Sequence, residues 1–129
     1  MKLKACGLSN PIEVDTCVSL NVNYCGFILN YPKSHRYISL NKARELTKIN
    51  KGNSKYVGVL VEPTIEQLNQ FSELNFDYFQ LYGNFHPDEL ISIKDKFKKK
   101  IISSIQVKKK EDIDNYKLVE SNSDIILWD

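Results

Sequence analysis

Histidine, tryptophan and methionine are scarce in this 129-residue sequence: it has two, one and one of them. The three cysteines, Cys6, Cys17 and Cys25, are odd in number and match no zinc spacing. With only His35 and His86 beside them, they argue against a disulfide framework or a structural zinc site. Glycine is sparse as well. The first turn, CGLSNP, holds one glycine, so the glycine-rich fingerprint of a dinucleotide fold is absent. No apolar run approaches the roughly 20 residues needed to span a bilayer, and no membrane partner is expected. The opening MKLKACGLSN lacks the long apolar core and small-residue cleavage site of a secretory signal, so residence in the cytoplasm is the simplest expectation. Charge of one sign is scarce overall, with a formal net charge of +2. It is uneven, however: residues 94–111 hold eight lysines against two acids. Such a patch can attract phosphate or nucleic acid. No aromatic platform, zinc finger or helix-turn-helix accompanies it, so it reads as a solvated rim and no nucleic-acid partner is expected.

What the sequence does have is an alternation. Apolar runs at residues 2–6, 24–29, 56–61, 77–81, 100–105 and 124–128 read as strands, and each intervening stretch reads as one helix. Asn10 before Pro11 and Ser39 before Leu40 are helix openings: a side-chain acceptor followed by a helical stretch, with proline already at helical φ. Pro63 or Thr64 opens a third helix with Ile65, Leu68, Phe71 and Leu74 along one stripe. Pro87 opens a fourth, and a weaker fifth carries Ile113, Tyr116 and Val119. The strand ends Cys6, Leu29, Val61, Gln80, Ile105 and Asp129 recur every 19 to 32 residues, the length of a strand–helix unit. Strands that are apolar throughout, rather than alternating, are covered on both faces. This predicts an α/β protein with a parallel sheet. The alternation alone does not choose between an open doubly wound sheet and a (β/α)₈ barrel.

The choice comes from motifs at the strand ends. KACGLSNP, YCGFILNYPKSHRYIS, VGVLVEP, FQLYG and IILWD occur in that order. They resemble, in turn, the K-I-C-G-(I/L)-T-N-P, G-F-x-F-x-x-x-S-x-R-x-(I/V)-S, V-G-V-F-V-N and V-Q-L-H-G segments and the aspartate-ending strand of the phosphoribosylanthranilate isomerase family. That resemblance implies a TIM barrel, here a single partial (β/α) barrel domain over residues 1–129. It would have about six parallel strands and five intervening helices, and would lack the last two βα units and their phosphate-binding segments. An incomplete barrel leaves sheet edges open, so the isolated monomer is expected to be poorly stable.

The resemblance also implies a reaction of tryptophan biosynthesis, the Amadori rearrangement of N-(5′-phosphoribosyl)anthranilate to 1-(2-carboxyphenylamino)-1-deoxyribulose 5-phosphate. The implied partner is this small phosphorylated aromatic-amine sugar, with no cofactor and no metal. By motif, Cys6 matches the general base and Asp129 the general acid. Arg36 matches a substrate-contacting arginine, and Gln80 and Tyr82 fall where they would line the substrate mouth. Tyr82 stands where the family commonly has histidine. The residue types suit the chemistry: a carboxylic acid can protonate the ring oxygen and a thiolate can take the C2 proton. The bland readings stand beside these. A lone cysteine at a strand end is usually a small buried filler, Arg36 can be a solvated loop residue, and Gln80 can simply satisfy a backbone group. The alternative function is that of a non-catalytic barrel fragment acting by self-association or by complementing a second fragment.

Overall fold

A computed structural model describes residues 1–114 and 116–129. Six strands alternate with helices: β1 (Lys4–Cys6), α1 (Pro11–Ser19), β2 (Tyr24–Ile28), α2 (Leu40–Leu46), β3 (Lys55–Val61), α3 (Ile65–Ser72), β4 (Tyr78–Tyr82), α4 (Pro87–Phe97), β5 (Lys100–Ile105), α5 (Lys110–Asp114), α6 (Tyr116–Val119) and β6 (Ile125–Trp128). The strands pair in parallel in the order β1-β2-β3-β4-β5-β6. The result is a half-barrel with helices on its outer face, as expected from the sequence. No helix is long and apolar enough to cross a membrane among the described residues.

The helix openings follow the local chemistry. Asn10, Ser39 and Thr64 accept from the backbone N–H three residues on, and Gln67 returns the bond to Thr64. His86 caps α4 by accepting from Asp88 N–H, while Glu89 accepts from the His86 N–H, which makes it a local structural residue. One expectation fails. Ile65 is exposed, because α3 buries only Leu68 and Phe71 within its span and Leu74 just after it. The fifth stretch, expected as a weaker helix carrying Ile113, Tyr116 and Val119, is helical in α5 and α6 on either side of residue 115, which lies outside the described residues, and neither α5 nor α6 has a fully buried residue.

Two apolar layers lie either side of the sheet. The outer one is larger: Phe27, Tyr56, Phe76 and Phe79 are buried in it, with helix residues such as Leu46, Leu68 and Leu90 packed on them. The inner layer is thinner and holds Val57, Val59, Tyr78 and Ile102, with Tyr24, Ile28, Tyr82, Ile125 and Leu127 at its margins. Because successive side chains on a strand point to opposite faces, Lys4 and Cys6 share a face, as do Gln80 and Tyr82.

The amino ends of the strands are closed by a repeated device. Asn23 accepts from Leu3 N–H at 2.8 Å, Asp77 from Tyr56 N–H at 2.8 Å and Asp124 from Ile101 N–H at 2.8 Å. In each case the residue before an even-numbered strand caps the odd-numbered strand before it. Lysines serve two of these caps: Lys51 meets Asp77 at 2.8 Å and Lys94 meets Asp124 at 3.1 Å. Much of the lysine-rich stretch is likewise tied into the fold. Lys99 donates to the carbonyls of Leu74 and Phe76, and Lys100 stands over the Tyr78 ring.

Asp124 is held below the ordinary carboxylate value. Its partial burial pushes the other way, but the Ile101 N–H and the Lys94 ammonium outweigh it. A depressed folded-state pKa contributes stability that is present above the unfolded value and lost as pH falls through the folded one. Asp124→Asn should therefore cost about 1 kcal/mol at neutral pH. That cost should shrink as urea melts are repeated at steps down through the carboxylate range. An equal cost at every pH would contradict the assignment.

Candidate active site

The carboxyl ends of all six strands lie on one rim, since all the pairings are parallel. Cys6 closes β1 there and is exposed. Gly26, its partner on β2, has no side chain, and that leaves room above the sheet. A Cβ at position 26 would lie 3.2 Å from the Cys6 Sγ and 3.1 Å from the Lys4 Nζ. Both groups therefore lean over the inner face. The other two cysteines differ. Cys17 is half-buried on α1. Cys25 is buried against the helices, and its thiol is pushed up to about 11, chiefly by that burial. At neutral pH it stays protonated and unreactive.

After Cys6 the chain turns at Gly7, whose φ is +83°. The Gly7 and Leu8 amides both donate to the Gly26 carbonyl at 3.0 Å. Arg36 folds onto this turn from the loop that follows β2. Its Nη1 donates to the Cys6 carbonyl at 3.1 Å, and a Cβ on residue 7 would sit 2.5 Å from its Cδ. Glycine here is required twice, for a left-handed backbone and for the arginine stem. Gly7→Ala should destabilise the fold by about 1–3 kcal/mol. Denaturant unfolding would measure it, and an unchanged midpoint would refute the packing described.

On the far side of the rim stand Gln80, Tyr82 and Asp129. Gln80 was expected at a strand end, but β4 continues to Tyr82, and Gln80 is only 1% exposed. Its Nε2 donates to the Tyr82 hydroxyl at 3.1 Å, while its Oε1 has no partner. It satisfies no backbone group among the described residues. The Tyr82 hydroxyl donates in turn to Asp129 Oδ2 at 3.4 Å. The phenol is raised above its ordinary value, by burial first, with the negative charges of Asp129 and Cys6 adding to it. Ser104, paired with Tyr82 in the register, is buried with an unpartnered hydroxyl.

A cavity of about 770 Å³ lies between the loops after β4 and β5, touching Glu62, Tyr82, Gly83 and Ser104. Cys6, Arg36 and Asp129 are not part of its lining. The chemistry-bearing groups define the candidate site better than this hollow, because they stand along an open trough rather than around an enclosed space.

Every site residue expected from the sequence thus lies on or just below one rim. Three contacts join them directly: Arg36 to the Cys6 backbone, and Tyr82 to both Gln80 and Asp129. His35 is exposed and takes no part. Three residues were missed. Gly26 was visible as a lone glycine in an apolar strand, a sign of close approach. Ser104 was visible as a polar break in IISSI. Glu62 adopts φ +40° at the end of β3 and lies against Gly83, and nothing in its residue type announced that conformation.

The model of the family "N-(5'phosphoribosyl)anthranilate (PRA) isomerase" matches residues 3–129. The N-(5'-phosphoribosyl)anthranilate isomerase of Streptococcus mutans is 34% identical over 130 residues, covering 99% of this chain and 61% of that protein. The solved phosphoribosyl anthranilate isomerase of Thermotoga maritima superimposes with a TM-score of 0.86 at 27% identity, over 100% of this chain and 61% of that one. A phosphoribosyl anthranilate isomerase solved in complex with reduced 1-(o-carboxyphenylamino)-1-deoxyribulose 5-phosphate gives 0.84 at 26% identity, over 100% and 64%. The chain spans about three fifths of the length of the curated relatives it matches.

Proposed function

The chain belongs to the N-(5'-phosphoribosyl)anthranilate isomerase family, and from that premise we propose that its carboxyl rim carries the acid–base pair of the Amadori isomerisation. The substrate is N-(5′-phosphoribosyl)anthranilate. Asp129 gives a proton to the furanose ring oxygen, the C1–O bond breaks, and the anilino nitrogen's lone pair forms the Schiff base. Cys6, as thiolate, removes the proton from C2, leaving an enolamine. Protonation at C1 as the enol relaxes gives the 1-deoxyribulose ketone, with no net gain or loss of atoms. Arg36 presents its remaining N–H donors to an anionic part of the substrate, the anthranilate carboxylate being the planar match for a guanidinium. Tyr82, backed by the buried Gln80, forms the wall of the mouth between β4 and the acid.

The observation that supports this reading most is the placement of the thiol and the carboxyl group. They come from opposite ends of the sequence, yet the parallel sheet sets both at one rim. The test is direct: the chain is supplied with N-(5′-phosphoribosyl)anthranilate and the loss of anthranilate fluorescence is followed. Turnover above the buffer rate is expected, and a rate no faster than buffer would refute the proposal for this chain.

A further inference from the structure

We propose that Tyr82 is a positioning residue for Asp129: its phenol, oriented by Gln80, occupies Oδ2 and leaves Oδ1 as the oxygen that carries the transferable proton. This rests on the isomerase reading for the fate of the proton, though not for the contact itself.

The argument is one of donor counting. A phenol has one proton to give. Gln80 Nε2 approaches the Tyr82 oxygen at 3.1 Å as a donor, so that oxygen is already accepting. Its own proton must go elsewhere, and the acceptor it meets is Asp129 Oδ2 at 3.4 Å. The chain of bonds therefore has one direction, from amide to phenol to carboxyl. A protonated carboxyl group accepts best at its carbonyl oxygen, so the bond from Tyr82 selects Oδ2 as that oxygen. When Asp129 is protonated, the proton sits on Oδ1, facing away from Tyr82.

Three features fit such a role. Tyr82 lies 47 residues from Asp129 in sequence, with β5 between their strands, so only a long, rigid side chain makes the link. The phenol is raised by burial and by the neighbouring negative charge, so at neutral pH it keeps its proton and works as a fixed donor. The Gln80 amide is 1% exposed, with its carbonyl unpartnered. A buried unsatisfied carbonyl is destabilising, and here it accompanies an amide whose one hydrogen bond goes to Tyr82.

The test joins a double-mutant cycle to a spectroscopic readout. Tyr82→Phe should lower kcat about 10- to 100-fold with KM nearly unchanged, and should add no further loss in an Asp129→Asn background. Losses that multiply would show that Tyr82 acts independently of Asp129 and would overturn the proposal. Gln80→Leu removes the orienting amide and its unpaired carbonyl together. It should lower kcat while leaving the unfolding midpoint unchanged or higher; unaltered kcat would remove Gln80 from the chain. Independently of turnover, the Tyr82 phenol can be titrated by carbon NMR, its signal identified by its loss in Tyr82→Phe. Asp129→Asn should lower its midpoint, because a charge that opposes phenolate formation is gone. An unmoved midpoint overturns the contact. A moved midpoint in a chain without turnover would uphold the contact and refute only the isomerase reading.

Discussion

Cys6→Ala should lower turnover of the ribosyl-anthranilate by about 10²–10⁴-fold, and Asp129→Asn by the same order, the usual worth of one positioned acid or base. Each substitution removes a proton-transfer group and little packing, since both residues are exposed. The loss should therefore fall on kcat, with substrate affinity and unfolding midpoint almost unchanged. The other cysteines make the comparison sharp. Cys25→Ala should reduce stability without a matching fall in kcat, because Cys25 is buried among the helices and its thiol does not ionise at neutral pH. Cys17→Ala should do less of either. Activity that survives in both Cys6→Ala and Asp129→Asn would refute the assigned pair, whatever family the chain belongs to.

Phe27→Ala should cost about 3–5 kcal/mol of folding stability, the range for removing a large aromatic from a core. Phe27 is 0% exposed and lies edge-on to Tyr56, with ring centroids 5.4 Å apart, and close to Phe76 at 6.0 Å. Its loss would empty the junction between β2, β3 and the turn before β4. Tyr56 is itself held by its hydroxyl bond to the Ile49 carbonyl, so it cannot readily swing in to fill the space. Domain stability is only about 5–15 kcal/mol, and much of it would go. Chemical denaturation reads the change as a lowered midpoint. A drop under about 1 kcal/mol would mean that the outer layer is far more yielding than its burial implies.

The strands were legible because each is a short apolar run between polar stretches, and that signal survives without knowledge of any neighbour. The helix starts were legible for the same reason, since Asn10, Ser39 and Thr64 act on amides three residues away. What escaped depends on distant partners. Ile65 fits the apolar stripe of α3 yet faces water, because periodicity does not say where the covering surface ends. Gln80 sits within β4 rather than at its tip, because Leu81 and Tyr82 extend the ladder against β5. At the site, Cys6, Arg36 and Asp129 were found by motif, but the bond of Arg36 to the Cys6 carbonyl and the reach of Tyr82 across β5 exist only once the sheet is assembled. The amino-end caps show an intermediate case. Asn23-Tyr24, Asp77-Tyr78 and Asp124-Ile125 share a pattern, a short polar acceptor just before an apolar strand. Its meaning is plain only when the capped amide, some 20 residues earlier, is seen beside it.

Those caps carry a consequence for how such a molecule can change over time. They join β1 to β2, β3 to β4 and β5 to β6, and they lie wholly at the pole opposite the thiol and the carboxyl group. The seams that hold neighbouring units together are thus physically remote from the loops that meet a ligand. Loops at the reactive end can be lengthened, shortened or rewritten without unpicking a seam, and a seam can be reinforced without disturbing chemistry. A new side chain at position 82, in the mouth, is the kind of change that this separation lets a lineage survive.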